Sequence, residues 1–532
     1  MTDLSPPQPE FLPKIVTVWR EGYTFKALRA DAIAGLTVAI VALPLSMAIA
    51  IASGVGPERG LFTAIIGGFL VSLFGGSRYQ IGGPAGAFIV LVAACTAATG
   101  VPGLILATML SGVFLAIAGA LKLGSYVRYI PYPVTLGFTA GIAVIIFASQ
   151  ITDLAGLTIA HEPAAFLPKL DALWQARTTI NPAATVIALL TIAIILALKF
   201  LAPKLPNLLI AITFAAILVA IFHLPVETIH DRFGDLPCTP PLPQLPAITP
   251  AALQAALPWA VSFTLLGAIE SLLSAVVADG MSGARHRSNA ELLAQGVANI
   301  GSALFGGFCT TGTIARTATN VRAGSKGPVS GMLAALFVLL FMLVAAPLAG
   351  KIPLAALAGL LAVVAWNMVE KVEIWHLARA NRADALVTAA TFLLVVFRDL
   401  TEGIVVGFAL GGLVFIHRMS QTTTLDTPDI AHPDRVVVRL SGPYFFGAAA
   451  QLGAALDQIA DRPRHFVLDL SDLNYLDSSG ARSLELLARK TQRKGGQLVL
   501  LATRPAQRRI LEHAGLTPPL ARYLPDLAAL DP

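Results

Sequence analysis

The chain has 532 residues, of which 56% are hydrophobic and only 13% are charged, and its mean hydropathy is +0.74. A soluble globular protein carries about 25% charged residues, so this composition excludes an ordinary soluble protein and indicates a polytopic α-helical membrane protein embedded in a lipid bilayer. The net charge of +6 comes from scattered Lys and Arg residues, which argues against a nucleic-acid partner.

Three cysteines and an N-terminal segment without an apolar run narrow the interpretation further. Cys95, Cys238 and Cys309 have spacings that support neither a disulfide framework nor a metal site. Residues 1–30 mix Pro, Lys, Arg and Glu, so they predict a cytoplasmic N-terminal segment and no cleavable signal peptide.

Apolar runs dominate the chain as far as residue 420 and predict fourteen membrane segments. A full span needs about 20 apolar residues. The predicted spans are 33–54, 58–76, 103–121, 129–150, 183–200, 206–222, 255–279, 288–306, 329–348, 352–369, 383–398 and 402–418, with shorter Gly-rich segments after Gly82 and from about Gly312.

The two short segments are each the third in a set of seven. Interrupted segments at corresponding positions of two halves indicate an inverted repeat with a binding site between them. The sequence therefore predicts a transmembrane domain at 31–420, with repeats at about 31–225 and 254–420. The bias of Lys and Arg between alternate loops predicts that both termini lie in the cytoplasm.

The breaks before the two short segments consist of small residues, and one charged residue follows the second break inside an apolar segment. A helix that begins inside the membrane directs free N–H groups and a partial positive charge at an anion. Arg316 adds a full positive charge, and Ser46 and Phe88 are candidates for the wall of the same cavity. The predicted substrate-binding residues are Ser46, Gly83, Ala85, Gly86, Phe88, Gly312, Thr313, Ala315 and Arg316. For the glycines and threonines, simple helix packing is the alternative.

Glu270 lies inside an apolar span and has two interpretations. In the first it takes up H⁺ or binds Na⁺, with Ser274 one helical turn further on the same face, and couples cation entry to anion entry. In the second it forms a static pair with Arg316. No other cofactor and no metal site is predicted.

Four runs resemble the sulfate permease (SulP) family of anion transporters: 30–50, 81–88, 269–299 and 312–320. The resemblance implies fourteen segments in two inverted repeats, a core domain that moves against a gate domain, and an anion site between the third and tenth segments. Leu45 stands where many members have glutamine, and the pattern around it is closer to the bicarbonate transporters of cyanobacteria. Glu270 and Ser274 stand at positions where the resemblance implies Asp and Thr in the sodium-coupled members of the family.

After residue 420, short apolar strands alternate with helical patterns, as in an α/β domain. The strands are predicted at 436–440, 466–470 and 497–502, and the helices near 447–460, 479–492 and 505–513. Residues 430–532 resemble the STAS domain. This resemblance implies a cytoplasmic module, a homodimer, a STAS-binding protein as a partner, and Ser478 as the position of a phosphorylation site. The alternative is that Ser478 and Ser479 cap the following helix.

These observations predict a secondary active transporter of a small anion, bicarbonate or sulfate in the first place and a dicarboxylate in the second, by H⁺- or Na⁺-coupled symport with alternating access. An anion channel, a nucleobase permease of the same membrane fold and a membrane-anchored signalling scaffold are the alternatives. The sequence contains no nucleophile–base pair and no phosphate-binding loop, so an enzyme is not predicted.

Overall fold

The computed structural model describes residues 10–127, 131–159, 163, 165–202, 205–426, 435–449 and 465–530. The chain divides into two compact units, at 1–407 and 408–532. Within the described residues, nine helices are long and apolar enough to cross a membrane.

The helical elements up to residue 421 follow one another with short connections. They are α1 Lys14–Arg20, α2 Phe25–Ala52, α3 Pro57–Phe74, α4 Ile89–Ala120, α5 Gly124–Val127, α6 Tyr132–Ala155, α7 Phe166–Gln175, α8 Pro182–Leu201, α9 Asn207–Phe222, α10 Ile229–Phe233, α11 Pro250–Ser282, α12 Ser288–Leu304, α13 Ile314–Arg322, α14 Val329–Ala349, α15 Leu354–Met368, α16 Lys371–Ala380, α17 Arg382–Phe397 and α18 Leu400–Gln421. Two short strands, β1 Gly82–Gly83 and β2 Thr311–Gly312, precede α4 and α13.

A break inside α4 makes it two membrane segments. Gly100 has φ 70° and ψ 178°, which no helix can accommodate, and Pro102 begins the helix again two residues later. With α4 counted as two, the segments are fourteen: α2, α3, the two parts of α4, α6, α8, α9, α11, α12, α13, α14, α15, α17 and α18. The predicted fold class is therefore confirmed, although the first membrane segment, α2, begins at Phe25, eight residues before its predicted start.

The packing of the helices repeats between the two halves. The first segment of each half lies along the fourth segment of the other, α2 along α14 and α11 along the second part of α4. Small residues permit close approach at such contacts. A Cβ on Gly35 of α2 would lie 2.6 Å from the Ser330 carbonyl oxygen in α14. The helices α12 and α4 approach equally closely, since a Cβ on Gly296 would lie 2.6 Å from the Gly112 carbonyl oxygen.

Two helix bundles result from this pairing. The core bundle contains α2, α3, α4 and α11 to α14. The gate bundle contains α6, α8, α9, α15 and α17, in which α6 packs on α15 and α17, and α8 packs on α9 and α15. The gate bundle contacts the core bundle mainly through α2, so the breaks at β1 and β2 lie inside the core bundle.

The second unit contains a six-stranded sheet and, among its described helices, α19 Ser478–Arg493 and α20 Pro505–His513 between the strands. The strands are β3 Thr424–Asp426, β4 Arg435–Tyr444, β5 His465–Asp469, β6 Leu473–Leu476, β7 Gln497–Leu501 and β8 Ala521–Leu524. The strand order is β3-β4-β5-β7-β8, with β6 beside β4 and all pairs parallel except β3 with β4. The alternation of strands and helices confirms the predicted α/β domain. Of the helix predicted near 447–460, residues 450–460 lie outside the described residues.

Candidate functional site

The two interrupted segments meet at their breaks. β1 and β2 pair antiparallel, with Gly82 opposite Gly312 and Gly83 opposite Thr311. The Thr313 N–H donates to the Ile81 carbonyl oxygen at 2.9 Å. Non-helical backbone is tolerated at membrane depth only where its polar groups find partners within the protein. This pairing provides them, and it joins the two halves of the repeat.

Both helices that leave this crossing begin without a side-chain cap. Gly86–Phe88 forms a 3₁₀ turn that leads into α4, with Ala85 in the capping position, and Thr313 holds the capping position of α13. The Thr313 hydroxyl donates to the Ile81 carbonyl oxygen at 3.3 Å instead of accepting from the helix. The first N–H groups of both helices therefore remain available to a ligand.

Arg316 lies in the first turn of α13 and is 1% exposed. Its Nη2 donates to the Ser46 hydroxyl at 3.1 Å and to the Pro84 carbonyl oxygen at 3.3 Å, while its Nε has no partner. Among the described residues, no carboxylate lies within 4 Å of this guanidinium. A Cβ on Gly83 would lie 2.3 Å from the Arg316 Nη1, which explains why glycine stands there.

The structure does not contain the static ion pair between Glu270 and Arg316. Glu270 is half-buried, and its Oε2 has no hydrogen-bond partner. Ser274 is fully buried and donates to the Thr317 Oγ1 at 3.1 Å, and the same oxygen accepts from the Ile81 N–H at 3.0 Å. Ser274 therefore links α11 to the crossing but makes no hydrogen bond to Glu270.

The remaining predicted residues divide between a packed wall and an open side. Phe88 is 1% exposed and packs against Phe263 with ring centroids 6.0 Å apart. Gly86 is half-buried, and a Cβ there would lie 3.7 Å from both the Ile146 Cδ1 and the Met368 Sδ of the gate bundle. Ala315, at the start of α13, is exposed. Gly86 and Ala315 are the two predicted substrate-binding residues that are not fully buried, so a ligand would reach the helix starts from their side.

A buried hydrogen-bond network beneath the crossing was not predicted. The Gln80 Nε2 donates to the Ser271 hydroxyl at 3.0 Å and fills the space beside Gly312, where a Cβ would lie 1.3 Å from it. The Ser271 hydroxyl donates to the Glu291 Oε1 at 3.2 Å. Glu291 is fully buried and also accepts from the Gln295 Nε2 at 2.9 Å.

The same face of α12 reaches the other break. The Asn299 Oδ1 accepts from the Thr310 N–H at 3.1 Å, and its Nδ2 donates to the Thr310 carbonyl oxygen at 2.8 Å. Glu291, Gln295 and Asn299 follow one another at intervals of four residues. This spacing places them on one helix face, and it is the sequence signal from which the network could have been predicted.

In the second unit, Ser478 is the first residue of α19 and is exposed. The interpretation of Ser478 and Ser479 as the helix cap is wrong, because the cap is Asp477, whose Oδ1 accepts from the Gly480 N–H at 2.7 Å. Phosphorylation of Ser478 stays a prediction.

Comparison with known proteins adds family membership to this geometry. The profile of the sulfate permease family matches residues 28–391, and that of the STAS domain matches residues 427–523. The chain belongs to the sulfate permease family. YvdB of Bacillus subtilis is 39% identical to it over 505 residues, which cover 93% of this chain and 95% of YvdB.

A further relative agrees in length, and a solved structure agrees in fold. The bicarbonate transporter BicA of a Picosynechococcus species is 31% identical over 519 residues, covering 92% of this chain and 91% of BicA. The structure of the murine Slc26a9 anion transporter superposes with a TM-score of 0.87 over 99% of this chain and 95% of that one, at 18% identity. The chain is therefore a multi-pass membrane transporter with a STAS domain, and it is not an enzyme.

Proposed function

We propose that this chain is a secondary active transporter of a small inorganic anion, which it binds where α4 and α13 begin. The observation that carries this proposal is the buried Arg316, whose guanidinium has no carboxylate within 4 Å among the described residues. An uncompensated buried charge is strongly unfavourable. An anion at the adjacent helix starts would compensate it.

The geometry favours an indirect role for Arg316. The cavity beside its guanidinium has a volume of about 10 Å³, at the lower limit for one water molecule. The anion would therefore bind on the side of Gly86 and Ala315 and be attracted through space. At roughly 6 Å and an effective dielectric constant near 20, one positive charge contributes about 3 kcal/mol, which corresponds to roughly a hundredfold in affinity.

Bicarbonate and sulfate are the proposed substrates. BicA is named a bicarbonate transporter, and YvdB has a name that refers to sulfate. Both anions would use the same elements, because free N–H groups at helix starts and a nearby guanidinium recognise oxyanions in general. A dicarboxylate would need more space on the open side of the site.

Glu270 is the proposed coupling residue. Its carboxylate is half-buried without a partner for Oε2, so uptake of a proton there would remove an unfavourable buried charge. Ser274 donates its proton to Thr317, which leaves the two lone pairs of its oxygen for a sodium ion. We favour H⁺ over Na⁺ because Glu270 and Ser274 share no contact that would form a cage. Movement of the core bundle against the gate bundle would give alternating access.

The proposed location is a bacterial inner membrane with both termini in the cytoplasm, and the proposed assembly is a homodimer. Cys238 offers a direct test of the topology, because it is the only exposed cysteine and the buried Cys95 and Cys309 should not react. A membrane-impermeant maleimide should label intact cells at Cys238, and the Cys238→Ser variant should stay unlabelled. Labelling only after lysis would contradict this orientation.

Uptake by proteoliposomes tests the transport proposal. Labelled bicarbonate, sulfate and fumarate are offered in turn under an imposed proton gradient and, separately, a sodium gradient. We expect accumulation of bicarbonate or sulfate with the proton gradient. Arg316→Ala should raise the half-saturating anion concentration about a hundredfold, Arg316→Lys should raise it less, and Glu270→Gln should abolish the response to the gradient.

The outcomes separate the alternatives. Flux that follows only the anion gradient, and that is retained in Glu270→Gln, would indicate a channel. Accumulation driven by the sodium gradient alone would identify Na⁺, and not H⁺, as the coupling ion. Wild-type affinity in Arg316→Ala would overturn the site.

A further inference from the structure

A second, apolar cavity lies between the core and gate bundles, away from the charged site. Its volume is about 410 Å³, and it is lined by α2, α9 and α14 together with the residues that follow α14. Pro44 and Met47 form its inner wall, and Ile212, Phe341 and Ala345 lie along its sides. An engineered cavity of about 150 Å³ holds a benzene molecule, so this one accommodates a considerably longer hydrocarbon.

The cavity opens sideways, toward the surface that faces the bilayer. Ile217 of α9 and Leu348 of α14 line it and are 52% and 67% exposed. Val344, four residues before Leu348, is 81% exposed but does not line the cavity. Side chains of this kind in a membrane domain are in contact with acyl chains, so the opening is reached from the lipid phase without passing through water.

Lys351 gives the rim of the cavity one positive charge. Its side chain is exposed, and within the described part of the chain no carboxylate lies within 4 Å of its ammonium group. Thr213 is the only other residue of the lining with a polar side chain. A long apolar space with a single cation at its mouth is complementary to a hydrocarbon chain that ends in an anionic group.

We propose that this cavity is a binding site for one acyl chain of an anionic phospholipid, with its phosphate beside Lys351. Each methylene group that leaves water contributes about 0.8 kcal/mol, but a chain that moves from the bilayer into an apolar cavity gains little. Selectivity must therefore come from the headgroup and from the fit. A single Lys near an anionic headgroup corresponds to about a fivefold preference.

The position of the site gives it a consequence for the protein. Pro44 and Met47 flank Ser46, the residue that accepts a hydrogen bond from Arg316. The occupant would lie between α2 and α14 of the core bundle and α9 of the gate bundle. Binding itself does not depend on which anion the chain transports, so failure of the lipid site and failure of the proposed function are distinguishable.

Native mass spectrometry of the purified full-length protein tests the proposal. The protein is exposed in detergent to phosphatidylglycerol or phosphatidylethanolamine with identical acyl chains, or to oleate. We expect one phosphatidylglycerol to be retained per chain, about fivefold more than phosphatidylethanolamine. Lys351→Gln should remove this preference, whereas Arg177→Gln, which removes an exposed charge elsewhere, should keep it.

Two substitutions fill the cavity from opposite walls. Ala345→Trp and Ala216→Trp should each abolish retention, and either suffices if the other does not fold. Val344→Trp adds the same side chain one residue away, on the outer surface of α14, and should retain the lipid. Undiminished retention in the two cavity variants would overturn the site. Equal retention of the two phospholipids would overturn the role of the anionic headgroup, and retention of oleate alone would replace the phospholipid by a fatty acid.

Discussion

Replacement of Gly83 by alanine tests whether the position of the Arg316 guanidinium matters for anion binding. The new Cβ would lie 2.3 Å from the Nη1, whereas real contacts of this kind are seldom closer than 3.4 Å. The neighbouring backbone belongs to the paired strands β1 and β2 and cannot move independently. The guanidinium must therefore retreat by about 1 Å.

A retreat of this size affects both hydrogen bonds of the Nη2. They measure 3.1 Å to Ser46 and 3.3 Å to Pro84, so each has little room before it exceeds the range of a hydrogen bond. A hydrogen bond from a charged group contributes about 1.5–3 kcal/mol. Loss of one of them, with the charge displaced from the helix starts, should weaken anion binding about tenfold or more.

The half-saturating anion concentration for uptake into proteoliposomes is the quantity to measure, with the anion that accumulates in the wild type. Gly283→Ala is the matched control, because Gly83 and Gly283 both have a positive φ, of 150° and 73°, and a Cβ on Gly283 at the end of α11 meets no atom within 4 Å. We expect an increase of about tenfold for Gly83→Ala and none for Gly283→Ala. A Gly83→Ala protein with wild-type half-saturation and unchanged thermal stability would refute the reasoning.

Three further predictions concern stability. Glu291→Gln should lower the free energy of unfolding by about 2 kcal/mol, since an amide cannot accept from all the donors of the buried network; thermal unfolding in detergent checks this against Glu373→Gln on the exposed surface of α16. Asp477→Ala should speed hydrogen exchange in α19, corresponding to about 1 kcal/mol, whereas Ser478→Ala should leave it unchanged. Burial would raise the pKa of Asp469, but the Ser471 N–H and the Arg439 guanidinium outweigh it and hold the pKa below its usual value. The ionised carboxylate therefore adds stability that is complete above about pH 4 and is lost as the pH falls further. At pH 7, hydrogen exchange in β5 should be faster in the Asp469→Asn variant than in the wild type. At strongly acidic pH, the two proteins should exchange at the same rate.

Hydropathy predicts the membrane segments well, because a helix that crosses the bilayer must expose apolar side chains to lipid over about 20 residues. The start of the first membrane segment, α2, is predicted too late, because Lys26, Arg29 and Asp31 interrupt the apolar pattern. In the structure Thr24 caps α2, and its Oγ1 accepts from the Ala27 N–H at 3.3 Å. Asp31 is fully buried and accepts from the Lys326 and Gly327 N–H groups. A charged side chain near the start of a membrane helix, such as Asp31, can thus be buried because it accepts hydrogen bonds from residues far away in the sequence. A local sequence pattern does not reveal such partners.

The sheet of the second unit illustrates a related limit. The sequence predicts the central strands β5 and β7 because they are buried on both faces and read as short apolar runs, and it predicts β4 because its apolar run is interrupted only by the exposed Arg439. The strand β6 was missed, since Asn474 and Tyr475 are exposed between the buried Leu473 and Leu476. Its pairing with β4 is a tertiary contact, which four residues of mixed character do not predict.

In the candidate site, the sequence identifies the types of residue involved, but the register between the two strands decides how they are arranged. The sequence identifies Arg316 and Glu270 as charged residues in apolar segments. It is equally consistent with an ion pair between them and with two separate charges. Their relation is decided by the register of β1 on β2, which turns Arg316 toward Ser46 and Pro84 of the first repeat. A static pair would satisfy both charges within the protein and leave no electrostatic reason for an anion to bind. Within the described part of the chain, Arg316 is buried with no carboxylate within 4 Å and the Glu270 Oε2 has no hydrogen-bond partner. This separation is what the proposed function requires, because it leaves one charge for the proposed anion and the other for the proposed coupling ion.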